Sequence, residues 1–121
     1  MHGYLFIIPP LTSVEEDQKL RLDAYELTAP PTLDALQKAV DGDIELVPFF
    51  RTIEFDGGVK RCAAFCNENG KNVGLPYNEI ATHLWADAIL REMWGSFDTM
   101  NDHLVGAIAI VIGDDDLMLA L

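Results

Sequence analysis

Leu104-Val105-Gly106-Ala107-Ile108-Ala109-Ile110-Val111-Ile112 is the longest unbroken apolar run in the chain. It is far short of the ~20 residues a bilayer-crossing helix needs, so it is not a membrane span. Apolarity on both faces of a run of this length is the mark of a central strand. Gly106 and the small alanines predict close packing there. Asp114-Asp115-Asp116 ends the strand, and Leu117-Met118-Leu119-Ala120-Leu121 is too hydrophobic to stay fully in water. Residues 114–121 thus form an acidic-apolar tail that folds back or joins a partner.

The segments ahead of this strand supply its neighbours. Tyr4 to Ile8 is an apolar, β-prone run stopped by Pro9-Pro10, which fits a buried strand leaving the sheet. Thr12 to Gln18 is a polar loop, and Leu20, Leu22 and Ala24 alternate with Arg21, Asp23 and Glu26 in a second strand paired with the first. After Pro30-Pro31, Thr32 is placed to N-cap a helix from about Leu33 to Asp41, with Gly42 where a C′ glycine belongs. Ile44 to Phe55 has strand composition, but Pro48 requires an edge position or a bulge. Asp56-Gly57-Gly58 predicts a hairpin turn and Val59 to Cys66 the returning strand. Asn78 is placed to N-cap a second helix that runs to Trp94, with Gly95 as its stop and Ser96 to His103 as a polar loop. The expected architecture is one α+β domain over residues 1–121, two helices packed on a mainly antiparallel sheet of about five strands.

A chain of 121 residues is one domain with room for a real core. Its net charge of −12 and pI of 4.3 disfavour direct nucleic-acid binding and favour attraction to basic protein surfaces. From Asn72 onward eight acids face Arg91 alone, so that part carries −7 of the total. Met1 to Ile8 lacks a basic leader and a small-residue cleavage site, which points to the cytoplasm and away from a membrane. Cys62 and Cys66, on one strand, stand ~13 Å apart and are read as buried thiols rather than a disulfide.

Chemically particular residues crowd into one stretch, Cys66-Asn67-Glu68-Asn69-Gly70-Lys71-Asn72-Val73-Gly74-Leu75-Pro76-Tyr77-Asn78. Gly70-Lys71 is not a phosphate loop, because Phe65 stands where that motif needs glycine and Asn72 where it needs Ser or Thr. What remains is a turn rich in hydrogen-bonding groups, a composition that asparagine also favours for conformational reasons alone. As a ligand site it would use Asn67, Asn69, Lys71, Tyr77, Asn78 and Trp85, with Lys71 meeting a negative charge and an aromatic ring stacking on a base. Glu79, His83 and Asp87 recur at a spacing compatible with a metal site, yet such a stripe is more often a solvated face, and no metal is expected. Consecutive carboxylates at 114–116 point apart. No nucleophile elbow, His-Glu-x-x-His pair or dinucleotide loop is present, and nothing in the sequence brings Cys66 to His83. The chain is therefore read as no enzyme, with no cofactor.

The stretches Thr32 to Glu45, Asn67-Glu68-Asn69-Gly70-Lys71, Leu75-Pro76-Tyr77-Asn78, Ala81-Thr82 and Asp102-His103-Leu104-Val105-Gly106 carry a resemblance. They resemble an uncharacterised domain-of-unknown-function family (number three-eight-four-six), over about residues 32–113, with residues 86–103 as an insertion. The resemblance implies a mobile-element origin and supplies no catalytic residues. In that setting the expected function is that of a non-catalytic phage or mobile-element accessory protein with a counter-defence role. It would be an acidic inhibitor that binds a basic surface of a host protein in the host cytoplasm, with DNA-charge mimicry as its means. The alternative is a module that sequesters a polar small molecule or nucleotide signal with the 67–78 loop. The apolar tail and the doubly apolar strand also point to a homodimer.

Overall fold

A computed structural model describes residues 1–10, 23–93 and 102–121. Six strands and three helices follow in the order β1 (Gly3–Ile8), β2 (Asp23–Leu27), α1 (Leu33–Val40), β3 (Ile44–Leu46), β4 (Thr52–Phe55), β5 (Gly58–Asn67), α2 (Glu79–Met93), β6 (Ile108–Gly113) and α3 (Asp115–Leu119). The chain is α+β with a mainly antiparallel sheet, as expected, but the described residues hold one strand and one short helix more than expected. The predicted loop at 12–18, the first residues of the predicted second strand and the stop at Gly95 lie outside the described residues.

Strand order β2-β1-β6-β5-β3 places β6 in the middle, with β1 on one side and β5 on the other. Val111 stands opposite Leu5 of β1 and Ala63 of β5, and every pairing of β6 is antiparallel. Side chains alternate across a strand, so the two faces of β6 enter two separate cores. Ile108, Ile110 and Ile112 pack with Ala81, Trp85, Ala88 and Ile89 of α2. Ala109 and Val111 pack on the other face with Leu36 and Val40 of α1 and with Leu117. The sheet is thus the middle of three layers, which is why this strand is apolar throughout. Each fully buried isoleucine there contributes roughly 1.5–3 kcal/mol by leaving water.

The strand is shorter than its apolar run. Gly106 takes a left-handed φ of 70° and Val105 bridges to Tyr77, so residues 104–107 form a turn that brings the chain into β6. The predicted strand over 44–55 is likewise broken. β3 and β4 both pair with β5, but the five residues between them face only three, Cys62 to Ala64. The extra length bulges out at Pro48 and Phe49, and Phe49 has a left-handed φ of 62°. Trp85 pins this bulge by donating its indole N–H to the Pro48 carbonyl at 2.8 Å.

Turn and cap chemistry accounts for the remaining boundaries. Asp56 and Gly57 both have positive φ, 51° and 78°, the two-residue turn that suits a twisted hairpin. Thr32 caps α1 by accepting from Ala35 N–H at 3.1 Å. At the other end the left-handed residue is Asp41, φ 58°, and not the predicted Gly42. The tail folds back as α3, capped by Asp114 on Leu117 N–H at 3.0 Å, and Leu117 is fully buried. Covering helices on both sides of β6 remove one of the two sequence motives for a homodimer. The other persists in part, since Leu119 and Leu121 are 76% and 45% exposed.

Candidate functional site

The polar stretch after β5 is a compact loop laid against residues 102–106. Leu75 N–H donates to Gly70 carbonyl at 2.9 Å, and Gly106 N–H donates to Pro76 carbonyl at 2.7 Å. A Cβ on Gly70 would stand 2.9 Å from a Val105 methyl, so only glycine lets the two segments meet this closely. Beside that contact the end of β5, Glu45 and Leu46 of β3, the Pro48 bulge, Trp85 of α2 and residues 102–105 enclose a cleft of about 360 Å³.

Leu46, Val47, Pro48, Trp85 and Leu104 give the cleft apolar walls, and Glu45, Glu68, Lys71, Asp102 and His103 give it charge and polarity. Lys71 is spent on an ion pair with Asp102, whose carboxylate also accepts from His103 N–H at 2.8 Å. The Lys71 hydrogen bond, first, and the His103 N–H hold the Asp102 carboxyl below its usual range. Cys66 lies on the wall, and burial pushes its thiol up to about 11, helped by the Glu45 carboxylate beside it. The buried Cys62 thiol is pushed up to about 12 for the same first reason. Neither is poised as a nucleophile, which requires a depressed pKa. His83 contacts Glu79 at 3.8 Å on exposed helix surface. Among the described residues, no group of three or more His, Cys, Asp or Glu is arranged to hold a metal ion.

A family model for a domain of unknown function, DUF3846, matches residues 12–118. The chain belongs to this family. The DUF3846 match runs beyond residues 32–113 at both ends and takes in the 86–103 segment and most of the tail, so β2 to β6, both longer helices and every described residue of the cleft wall lie within it. No curated protein and no solved structure matches the chain.

Of the six residues expected at a ligand site, the DUF3846 fold brings Asn67, Lys71 and Trp85 to the cleft. Asn67 is occupied structurally: its amide donates to the carbonyls of Val40 and Asp41, and its oxygen accepts from Asn69 N–H at 2.8 Å. Trp85 is 3% exposed, with its N–H given to Pro48. Asn69 lines a shallower depression with Asp41, Asp43 and Val73. Tyr77 is exposed and stacks edge-on against His103 at 5.6 Å. Asn78 is fully buried and corrects the expectation most clearly. Its oxygen caps α2 on Ala81 N–H, and its amide donates to the carbonyls of Ile8 at 3.0 Å and Gly106 at 2.8 Å, leaving nothing for a ligand. Sequence reasoning missed Glu45 and Asp102 as cleft residues. Asp102 could have been found, since it stands in one of the stretches that carry the family resemblance. Glu45 carried the same signal, as the last residue of the Thr32 to Glu45 stretch.

Acids gather along this side of the molecule. Asp41, Asp43 and Glu45 follow the edge from the end of α1 into β3, all exposed, and Glu68 N–H donates to the Asp43 carbonyl at 2.8 Å, which puts a fourth carboxylate beside them. Asp102 is the fifth, across the cleft, and among the described residues Lys71 is the one lysine or arginine on the cleft wall. Among the described residues no helix is long and apolar enough to cross a membrane.

Proposed function

We propose that this DUF3846 protein is a non-catalytic accessory protein of a phage or mobile element that acts in the host cytoplasm against host defence, by occupying a basic surface of a host protein. The observation that carries the reading is the acidic edge formed by Asp41, Asp43, Glu45, Glu68 and Asp102 around one internally paired lysine. Carboxylates gathered along one edge offer a basic groove the charge pattern of a nucleic-acid backbone, and long-range attraction of this kind raises the rate of encounter. Three of the described cations are already matched to acids: Lys38 pairs with Asp34, Arg51 with Glu92 and Lys71 with Asp102. The exposed Leu119 and Leu121 support a homodimer as the acting form.

The test is capture of host proteins from lysate at low and high salt, with the wild type and with Asp41→Asn/Asp43→Asn/Glu45→Gln/Glu68→Gln. The expected result is one basic partner, lost at high salt and weakened at least tenfold by the neutralised edge. Capture indifferent to ionic strength overturns charge mimicry.

A second reading, sequestration of a polar small molecule, is favoured by the convergence of Asn67, Lys71 and Trp85 on one cleft. For an anionic ligand it is opposed by Glu45, Glu68 and Asp102, the last of which already neutralises Lys71. Native mass spectrometry of protein purified from defence-active cells tests it: a co-purifying small molecule lost in Lys71→Ala supports sequestration.

A further inference from the structure

We infer that the cleft receives an arginine side chain of the basic partner, with its guanidinium between Glu45, Glu68 and Asp102 and its stem against Leu46, Val47 and Trp85. The inference rests on the proposed inhibitor function and names the group that the acidic edge would select. Three features support it. The cleft is concave and of side-chain scale, about 360 Å³, at the low end of the ~300–1,000 Å³ typical of ligand sites. Its carboxylates come from three separate segments, β3, the loop after β5 and residue 102, so they approach a guest from different directions rather than repelling one another along a single helix face. Trp85 lines the cleft with an indole whose orientation is fixed by the Trp85–Pro48 hydrogen bond, and aromatic rings attract guanidinium groups.

Arginine fits these features better than lysine. Its planar fork can meet two carboxylates at once and stack on a ring, and its weak hydration lowers the cost of entering a partly apolar cleft. The negative potential inside the cleft also acts on Cys66, whose thiol is held protonated partly by Glu45 and Asp102. Lys71 reaches Asp102 from the protein's own side and competes for the same carboxylate. It therefore acts as a built-in rival of the guest, which gives the inference its sharpest consequence: removing the Lys71 charge strengthens binding.

The experiment is a two-dimensional amide NMR titration of the full chain with N-acetyl-arginine amide, with the citrulline, lysine and spermidine counterparts as controls. Retained peak dispersion in each variant reports an intact fold. The expected result is shifts centred on residues 45–48, 66–68 and 102–105, at least tenfold weaker binding of the uncharged citrulline analogue, several-fold weaker binding in Glu45→Gln and Glu68→Gln, and several-fold tighter binding in Lys71→Gln. Shifts elsewhere, equal binding of citrulline or spermidine, or weaker binding in Lys71→Gln overturns the inference, and the last outcome would instead mark an anion site. Because the probe needs no host protein, a positive titration with no salt-sensitive partner from lysate would remove the inhibitor reading alone, whereas the reverse would remove only the arginine cleft.

Discussion

The side-chain amide of Asn67 lies where a Cβ on Gly42 would come within 2.6 Å of its nitrogen, and from there it donates to the carbonyls of Val40 at 3.2 Å and Asp41 at 3.1 Å. The end of β5 is thereby tied to the end of α1 by a contact that only glycine permits. Gly42→Ala and Asn67→Ala should each destabilise the fold by about 1–2 kcal/mol, the range for a lost hydrogen-bond set at a partly buried site. The double variant should cost clearly less than their sum, because both changes break the same contact. Urea denaturation of the four proteins checks it, and strict additivity would show the two residues to be independent.

Asn78 joins three elements, β1, the turn before β6 and the start of α2, through one buried amide. Asn78→Ala removes an N-cap worth about 1 kcal/mol and leaves two buried carbonyls without their donor, for a total of about 3 kcal/mol. Asn78→Asp restores the cap and not the donor, so it should recover only part of the loss. Full recovery in the aspartate variant would mean that capping alone explains the residue.

Leu117 is the buried residue of α3, packed so closely that a Cβ on Gly113 would stand 2.7 Å from its methyl. Leu117→Ala should cost about 2–4 kcal/mol by opening a cavity in the core around α1. Leu119→Asp with Leu121→Asp should leave the monomer's stability nearly unchanged and lower the mass seen by light scattering from dimer to monomer. An unmodified chain that is monomeric at all practical concentrations would end the homodimer proposal.

Two pH effects follow from the shifted groups. The Cys62 and Cys66 thiols, ordinarily near 9.0, are raised to about 12 and about 11 in the fold. Above pH 9 the unfolded chain releases these protons before the folded one, so stability is complete below that pH and falls as pH rises toward 11 and beyond. Asp102 is lowered from 3.8 by Lys71, so its contribution is complete above that value and is lost as pH falls below it. Denaturation midpoints of the wild type, Cys66→Ala and Lys71→Gln across pH 2.5–11 check both. A Cys66→Ala profile as steep as the wild type between pH 9 and 11, or a Lys71→Gln profile unchanged at acid pH, would contradict the assignments.

Much of the scaffold was legible from local chemistry. The Thr32 and Asn78 caps, the Asp56-Gly57 turn and the doubly apolar strand each carry their instruction within a few residues, and the structure keeps all of them. The break at Pro48 and Phe49 was legible only as a disturbance, because the two extra residues are defined by the partner strand and not by their own composition. The helices on opposite faces were not foreseen, although a strand apolar on both sides requires such a cover. Site residues were harder for a different reason. Asparagines that look available in sequence become caps and ties once the chain folds, and among the described residues every buried side-chain nitrogen and oxygen has a partner. The cleft's acids come from three distant segments, a convergence that exists only after β3 and the 102–105 turn are laid beside β5.

The central strand β6 is also the last of the described strands in chain order, inserted between β1 and β5. A ribosome must therefore complete both flanking hairpins before the piece that joins them emerges. Until residue 108 is out, β1 and β5 each present an open edge to the cell, the kind of edge that recruits foreign strands. The contacts of β6 with β1 and β5 then wait on long loop closures, which makes folding slow relative to helical domains of this size. Nascent chains should lean on holding chaperones until β6 has emerged, and a truncation inside β6 should yield two unjoined half-sheets rather than a smaller domain.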